Sequence, residues 1–138
     1  MTPDLEQIVR TAIGGSPLAG LLGIGIEAVE PELVRARLPF RPEVTTVGDL
    51  VHGGAISALV DVAATAAAWT GADLARQPRG TTIGLSVSFL AGARGGDLVA
   101  TARVIQRGRS IVVLEVDVAD AGGAAVSRAL VTYKLDHR

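Results

Sequence analysis

The chain of 138 residues contains no cysteine and only two histidines. The first absence excludes disulfides, a catalytic thiolate and a cysteine-ligated zinc together. The second leaves too few ligands for a multi-histidine metal site, since His137 lies in the C-terminal tail. No metal and no separate cofactor is expected. There is no block of basic residues: the net charge is −1 and the two signs are interspersed, which argues against nucleic acid as a partner. The opening residues, MTPDLEQIVR, have neither the basic start nor the apolar run of a signal peptide. The longest apolar stretch, within residues 50–69, is too short for a membrane span and is interrupted by Asp61. A soluble, cytoplasmic protein with no membrane partner is expected.

What the chain does have is apolar content. Apolar residues make up 49% of it, and its mean hydropathy is +0.42. The length suits one domain, 1–138, with a proper core. A globule this small and this apolar is expected to bury part of its surface against a second copy, so a homo-oligomer is expected.

Pro3 and Asp4 suit the first turn of a short helix over residues 3–13, ended by Gly14 and Gly15. Ser16 before Pro17 fits the cap of a second short helical turn. Residues 1–20 thus read as a helical extension. The run IGIEAVEPELVRARLPF alternates on both sides of Glu30-Pro31-Glu32 and predicts a hairpin. A loop follows, then a helix from Gly54 to about Thr70, with Gly71 as its terminating glycine. The last sixty residues read as four strands. In the first, Ile83, Leu85, Val87 and Phe89 alternate with Thr82, Gly84, Ser86 and Ser88, which puts the two sets on opposite faces. Short links predict that the four strands pair in sequence order as an antiparallel meander. The class is α+β, with one long apolar helix laid across the sheet.

That helix carries three polar groups at i, i+4 and i+8: Ser57, Asp61 and Thr65. They share one stripe. A carboxylate in an apolar setting must be paired or hydrogen-bonded, and no cation lies near Asp61 on its own helix. It is either a general base in a pocket, or a residue that reaches solvent or pairs with a strand arginine such as Arg103 or Arg128. Gly53 and Gly54 fall at the helix start, where amides lack intrahelical partners and the dipole is positive. They form an oxyanion-type site, or they merely ease the chain into the helix. His52 caps the helix, orients the loop or touches substrate. Eight residues separate Gly53 from Asp61, about 12 Å along a helix axis, whereas a base works at about 3 Å. If both act on one carbonyl, they come from different chains of an isologous dimer.

These residues carry a resemblance. VHGGAISALVDVAATA is similar to the helix signature of the hotdog-fold acyl-CoA thioesterases of the phenylacetate-pathway type, in which H-G-G is followed seven residues later by aspartate. Here those are His52, Gly53, Gly54 and Asp61. The strands TTIGLSVSFLAGARGGDLVATARVIQRGRS and VSRALVTYKL also resemble that family, so the likeness covers residues 20–135. It implies a long central helix wrapped by a curved antiparallel sheet of five to six strands, a dimer commonly paired into a tetramer, and hydrolysis of an acyl-CoA thioester to free acid and CoA. Coenzyme A is then part of the substrate. The Gly53 amide would polarise the thioester carbonyl, and Asp61 of the other subunit would act as base toward water or as nucleophile. Gly54, Ser57 and Thr65 would line the substrate site, with Thr82 as the Ser/Thr of the strand after the helix. The chain departs from the pattern in two respects, the first being that its loop glycine, Gly48, is displaced by one residue. The family's loop asparagine has no counterpart, because the chain contains no asparagine, and Thr46 or Thr45 takes its place or the role is vacant. CoA phosphates need cations at strand ends, for which Arg79, Arg94, Arg107 and above all Arg109 are candidates.

Two other readings compete. A hotdog hydratase or dehydratase needs a histidine and a carboxylate on one substrate, for which only His52 and Asp61 are available. A non-catalytic acyl-CoA-binding protein would account for the missing asparagine.

Overall fold

The computed structural model describes residues 1–138. Six strands form one antiparallel sheet: β1 (Gly25–Glu30), β2 (Leu33–Leu38), β3 (Arg79–Phe89), β4 (Leu98–Arg107), β5 (Ile111–Asp120) and β6 (Ala125–Asp136). Two short helices, α1 (Pro3–Ile8) and α2 (Pro17–Leu22), precede them, with a π-helical turn at Val9–Ile13. The long helix α3 (Gly53–Trp69) lies across β2, β4, β5 and β6. Its alanines let it sit close to the strands. Ala63, Ala64, Ala66, Ala67 and Ala68 are all fully buried in one core with Val34, Ala36, Ala100, Leu114 and Val131. The alanine run therefore serves packing, and the one residue within it that is not buried is Thr65.

The expected helices, hairpin and strands are present, but several expectations change. First, the four C-terminal strands are not a meander in sequence order. The sheet runs β1-β2-β4-β5-β6-β3, so β3 pairs with β6 and β4 pairs with β2. The eight-residue link 90–97 carries the chain from one edge past two strands. Short links favour neighbours without requiring them once about 3.3 Å per residue of reach is available.

Second, β3 carries a bulge between Thr82 and Gly84. One extra residue shifts the alternation by one and exchanges the faces. Thr82 therefore shares the helix-facing side with Leu85, Val87 and Phe89, rather than opposing them. Thr82 pairs with buried Tyr133, and Leu85 pairs with buried Val131.

Third, Gly71 does not end α3 through a left-handed conformation. The helix closes on Thr70 in the right-handed region. Gly71 is needed for room, since a Cβ there would run into the Arg107 guanidinium. Ser16 likewise occupies the cap position of α2 without its side chain capping it.

The C-terminal end of α3 is tightly tied. Arg107 donates to both carboxylate oxygens of Glu32, at 2.8–3.1 Å, and to the Ala68 carbonyl at 3.0 Å. Glu32 sits at φ +67° in the hairpin turn, a conformation costly for a residue with a Cβ. Its N–H is held by Thr70 Oγ1 at 2.9 Å. No helix is long and apolar enough to cross a membrane.

Candidate active site

The N-terminal end of α3 is built differently. His52 takes the cap position, and its Nδ1 accepts the Gly54 N–H at 2.8 Å. The Ala55 and Ile56 amides both donate to the His52 carbonyl, at 3.0 and 3.1 Å. The Gly53 N–H is left with no acceptor in the chain. An amide at a helix start, unpaired and on the positive end of the dipole, suits a developing oxyanion. Gly54 also has a steric role, because a Cβ there would lie 2.9 Å from His52 Nδ1 and break the cap. The loop ahead of the helix is braced from both sides. The His52 N–H donates to the Val44 carbonyl and the Val51 N–H to the Ala93 carbonyl, both at 2.8 Å.

A cavity of about 440 Å³ opens beside Gly53, lined among others by Thr46, Ile56, Phe89 and Leu90. The Phe89 ring lies against Gly53, so that a Cβ on the glycine would sit 3.3 Å from Cζ. Of the two threonines that could replace the family's asparagine, Thr45 is committed, its hydroxyl donating to the Pro42 carbonyl at 2.7 Å. Thr46 is the one that lines this cavity.

Asp61 lies elsewhere on the same helix. Between residues 55 and 69 the side chains that are not buried are Ser57, Ala58, Asp61, Thr65 and Trp69. The i, i+4 stripe read from the sequence is thus the open side of the helix, continued to Trp69. Ser57 donates to the Gly53 carbonyl at 2.9 Å. Asp61 Oδ1 accepts from Thr82 Oγ1 at 2.7 Å, a contact the β3 bulge makes possible. Neither strand arginine reaches it, since Arg103 pairs with Glu115 and Arg128 with Asp117. Asp61 borders its own cavity of about 310 Å³, with Ala12, Ile13, Ser16, Val62, Thr65, Trp69 and Tyr133. Trp69 Nε1 donates to the Tyr133 hydroxyl at 2.8 Å. Burial pushes the Tyr133 phenol above its usual pKa, the Trp69 bond opposes this, and the charge of Asp61 adds to the rise.

The candidates therefore divide. Gly53 and Thr46 share one cavity, while Asp61 and Thr65 share another, with Thr82 bonded to Asp61. Arg109 joins neither; it is exposed in the turn between β4 and β5. Arg107 and Arg94 are engaged by Glu32 and Asp49. Phe89, Trp69 and Tyr133 escaped the sequence reading. Phe89 was visible as the last apolar residue of β3. The Trp69–Tyr133 pair joins residues 64 apart, and nothing local announces it.

The fold is that of a hotdog thioesterase. A model of the thioesterase superfamily matches residues 48–127, which span the whole of α3 and most of the sheet. The chain belongs to that superfamily and is a hydrolase of the thioesterase class. It is 30% identical over 112 residues to SSO1253 of Saccharolobus solfataricus, provisionally named an esterase, with 81% of this chain and 73% of that one covered. The crystal structure of a mutant of the thioesterase PA1618 from Pseudomonas aeruginosa superposes with a TM-score of 0.87 at 28% identity, covering 100% of this chain and 97% of that one. A thioesterase family protein from Silicibacter pomeroyi has the same fold, with a TM-score of 0.89 at 23% identity over 97% and 99% of the two chains.

Proposed function

We propose that the protein hydrolyses acyl-CoA thioesters to free acid and CoA, with each active site shared between two copies of the chain. The observation that carries this reading is the separation of the two chemical groups. The free Gly53 amide and the Thr82-bonded Asp61 carboxylate border different cavities on one chain. At about 12 Å along one helix axis they cannot serve one carbonyl within a single chain. An antiparallel mate of α3 brings the amide of one chain toward the carboxylate of the other. The Gly53 amide then polarises the thioester carbonyl, and Asp61 activates water or attacks the carbonyl itself. Hydrolysis consumes one water: the C–S bond breaks, the acyl carbon gains oxygen, and CoA leaves as a thiol.

The edge strand β3 supports the pairing. It is eleven residues long, and Ile83, Leu85 and Phe89 on it, with Leu90 just beyond, are 44–55% exposed. Long apolar edges of this kind ordinarily pair or are covered. A homodimer through β3 covers them, and a dimer of dimers is the further assembly implied. The H-G-G spacing to Asp61 favours the phenylacetate-pathway type within the superfamily, and a CoA substrate places the work in the cytoplasm. A hydratase would need His52 and Asp61 on one substrate, and His52 offers it only Nε2, since its Nδ1 is held by its own cap.

The test is free-thiol release from a panel of aliphatic and aromatic acyl-CoAs by wild type and Asp61→Asn. Loss of the base is expected to lower kcat by roughly 10²–10⁴-fold with the dimer intact by light scattering. Near-normal turnover in the variant would make Asp61 structural, and a monomeric wild type would defeat the shared site.

A further inference from the structure

Strand β3 ends the sheet: β6 covers one of its edges, and the other has no neighbour in the chain. Edge strands usually guard themselves with lysine, proline or inward-pointing charge. From Gly80 to Leu90 this strand has no charged residue and no proline. The bulge at Ile83 leaves Gly84–Phe89 as its regular stretch. Two contacts mark where the chemical groups lie along the open edge. Gly53 sits against the Phe89 ring, and Asp61 takes its hydrogen bond from Thr82 at 2.7 Å. A two-fold axis that brings Gly53 of one copy to Asp61 of the other must exchange these two places, so it falls midway between them. Phe89 and Thr82 are seven residues apart, but the bulge adds one residue without advancing the ladder. The edge therefore counts six steps, and its midpoint lies three from Phe89, at Ser86. Six steps of strand cover about 20 Å, against about 12 Å of helix from Gly53 to Asp61. The surplus is taken up at both ends, by the Phe89 ring at one and by the Thr82 and Asp61 side chains at the other, and the midpoint holds.

Strand geometry leads to the same residue. Directly opposite residues of an antiparallel pair project to one face. An axis between two residues would set helix-facing Leu85 opposite outward Ser86 and put the two helices on opposite faces of the joined sheet. The axis therefore passes at a residue. The middle of Gly84–Phe89 lies between Ser86 and Val87, and of these only Ser86 meets the midpoint above. We infer that a second copy pairs antiparallel along β3 with the two-fold axis at Ser86. The inference rests on the shared-site reading and fixes the register that assembles the site. Ser86 then faces the partner's Ser86, Leu85 lies opposite the partner's Val87, and Gly84 lies opposite the partner's Ser88. Moving the axis by one residue slides one copy past the other by two residues, about 7 Å, whereas a base works at about 3 Å. Pairing in any other register buries the same edge and leaves the two halves of the site apart.

The chain contains no cysteine, so introduced cysteines report the register directly. Opposed residues hold their Cα atoms about 4.5–5.5 Å apart, inside the range of about 4.4–6.8 Å that a disulfide spans. Ser86 and Ser88 are both exposed on the outer face of the sheet. On mild oxidation with diamide, Ser86→Cys is expected to run as a covalent dimer on a non-reducing gel. Ser88→Cys alone is expected to stay uncrosslinked, because its two copies lie about 13 Å apart along the strands. Gly84→Cys combined with Ser88→Cys should cross-link again. The oxidised Ser86→Cys dimer should release thiol from acyl-CoAs with the kcat of its reduced form. Absence of cross-linking in dimeric Ser86→Cys, equal cross-linking of Ser88→Cys alone, or loss of activity on oxidation of Ser86→Cys would overturn the register and leave the hydrolase intact. Cross-linking in the expected pattern with no thiol release from any acyl-CoA would uphold the register and bring down the hydrolase reading.

Discussion

The two ends of α3 are made from the same backbone and treated in opposite ways. At the C-terminal end the exposed carbonyls are consumed: Ala67 accepts from Thr70, Ala68 from Arg107, and Trp69 from the Ala72 amide. Arg107 also clamps Glu32, which holds the hairpin turn against the helix. At the N-terminal end His52 satisfies Gly54, and the Gly53 amide is left over. A helix end whose last three carbonyls are paired adds stability, whereas one with a spare donor beside a cavity can bind a developing negative charge. The difference predicts that damage at one end costs activity and damage at the other costs stability.

The sharpest way to break that comparison is Gly53→Pro. Proline at the first helical position keeps the helix start, removes the N–H and adds a ring against Phe89. His52 already has φ −65° and ψ 132°, the extended region that a residue before proline prefers. Turnover is expected to fall by roughly 10²–10³-fold, the usual cost of losing one oxyanion donor, with the melting temperature little changed. Gly53→Ala is the control. It places the same Cβ 3.3 Å from Phe89 but keeps the amide. If the two variants lose activity equally, crowding and not the donor explains the loss.

The opposite outcome is expected from Arg107→Met. The Arg107 side chain is only 25% exposed, and its removal leaves Glu32 at its strained φ without its partner and the Ala68 carbonyl with only the long Gly71 N–H bond of 3.4 Å. The expected loss is about 1–3 kcal/mol of stability, read as a lower midpoint in urea, with kcat per folded molecule unchanged. A drop in kcat at unchanged stability would mean that the two ends are not divided as described.

How much of this was legible in the sequence depends on sequence distance. The helix, the H-G-G start and the polar stripe are local, and periodicity found them. The roughly 12 Å between Gly53 and Asp61 follows from residue numbers and the helical rise alone. What escaped was set by pairing across the sheet. Alternation in β3 gives two faces but not the bulge at Ile83, and the bulge decides that Thr82 meets Asp61. Short links suggested β3 beside β4, yet hydrogen-bond pairing placed β3 on the far edge beside β6. The Arg107–Glu32 clamp spans 75 residues, and no motif marks it.

His52→Ala gives a smaller effect and refines the division at the N-terminal end. Losing a cap costs about 1 kcal/mol, and the looser helix start should lower turnover only several-fold. A loss comparable to that of Asp61→Asn would instead give His52 a part in proton transfer.

The smallest effect is expected at Ser127, which pairs with Phe89 on β3 and Val118 on β5 near the same end of the molecule. It is fully buried, and its hydroxyl has no hydrogen-bond partner. An unpaired buried hydroxyl carries its desolvation cost with no return, so Ser127→Ala should leave stability unchanged or raise it by up to about 1 kcal/mol. Because Phe89 lies against Gly53, the same variant also asks whether β6 supports the amide site. Unchanged kcat with equal or higher stability would confine the open chemistry of this end to Gly53 and its cavity. A large fall in kcat would extend it through Phe89 into the sheet.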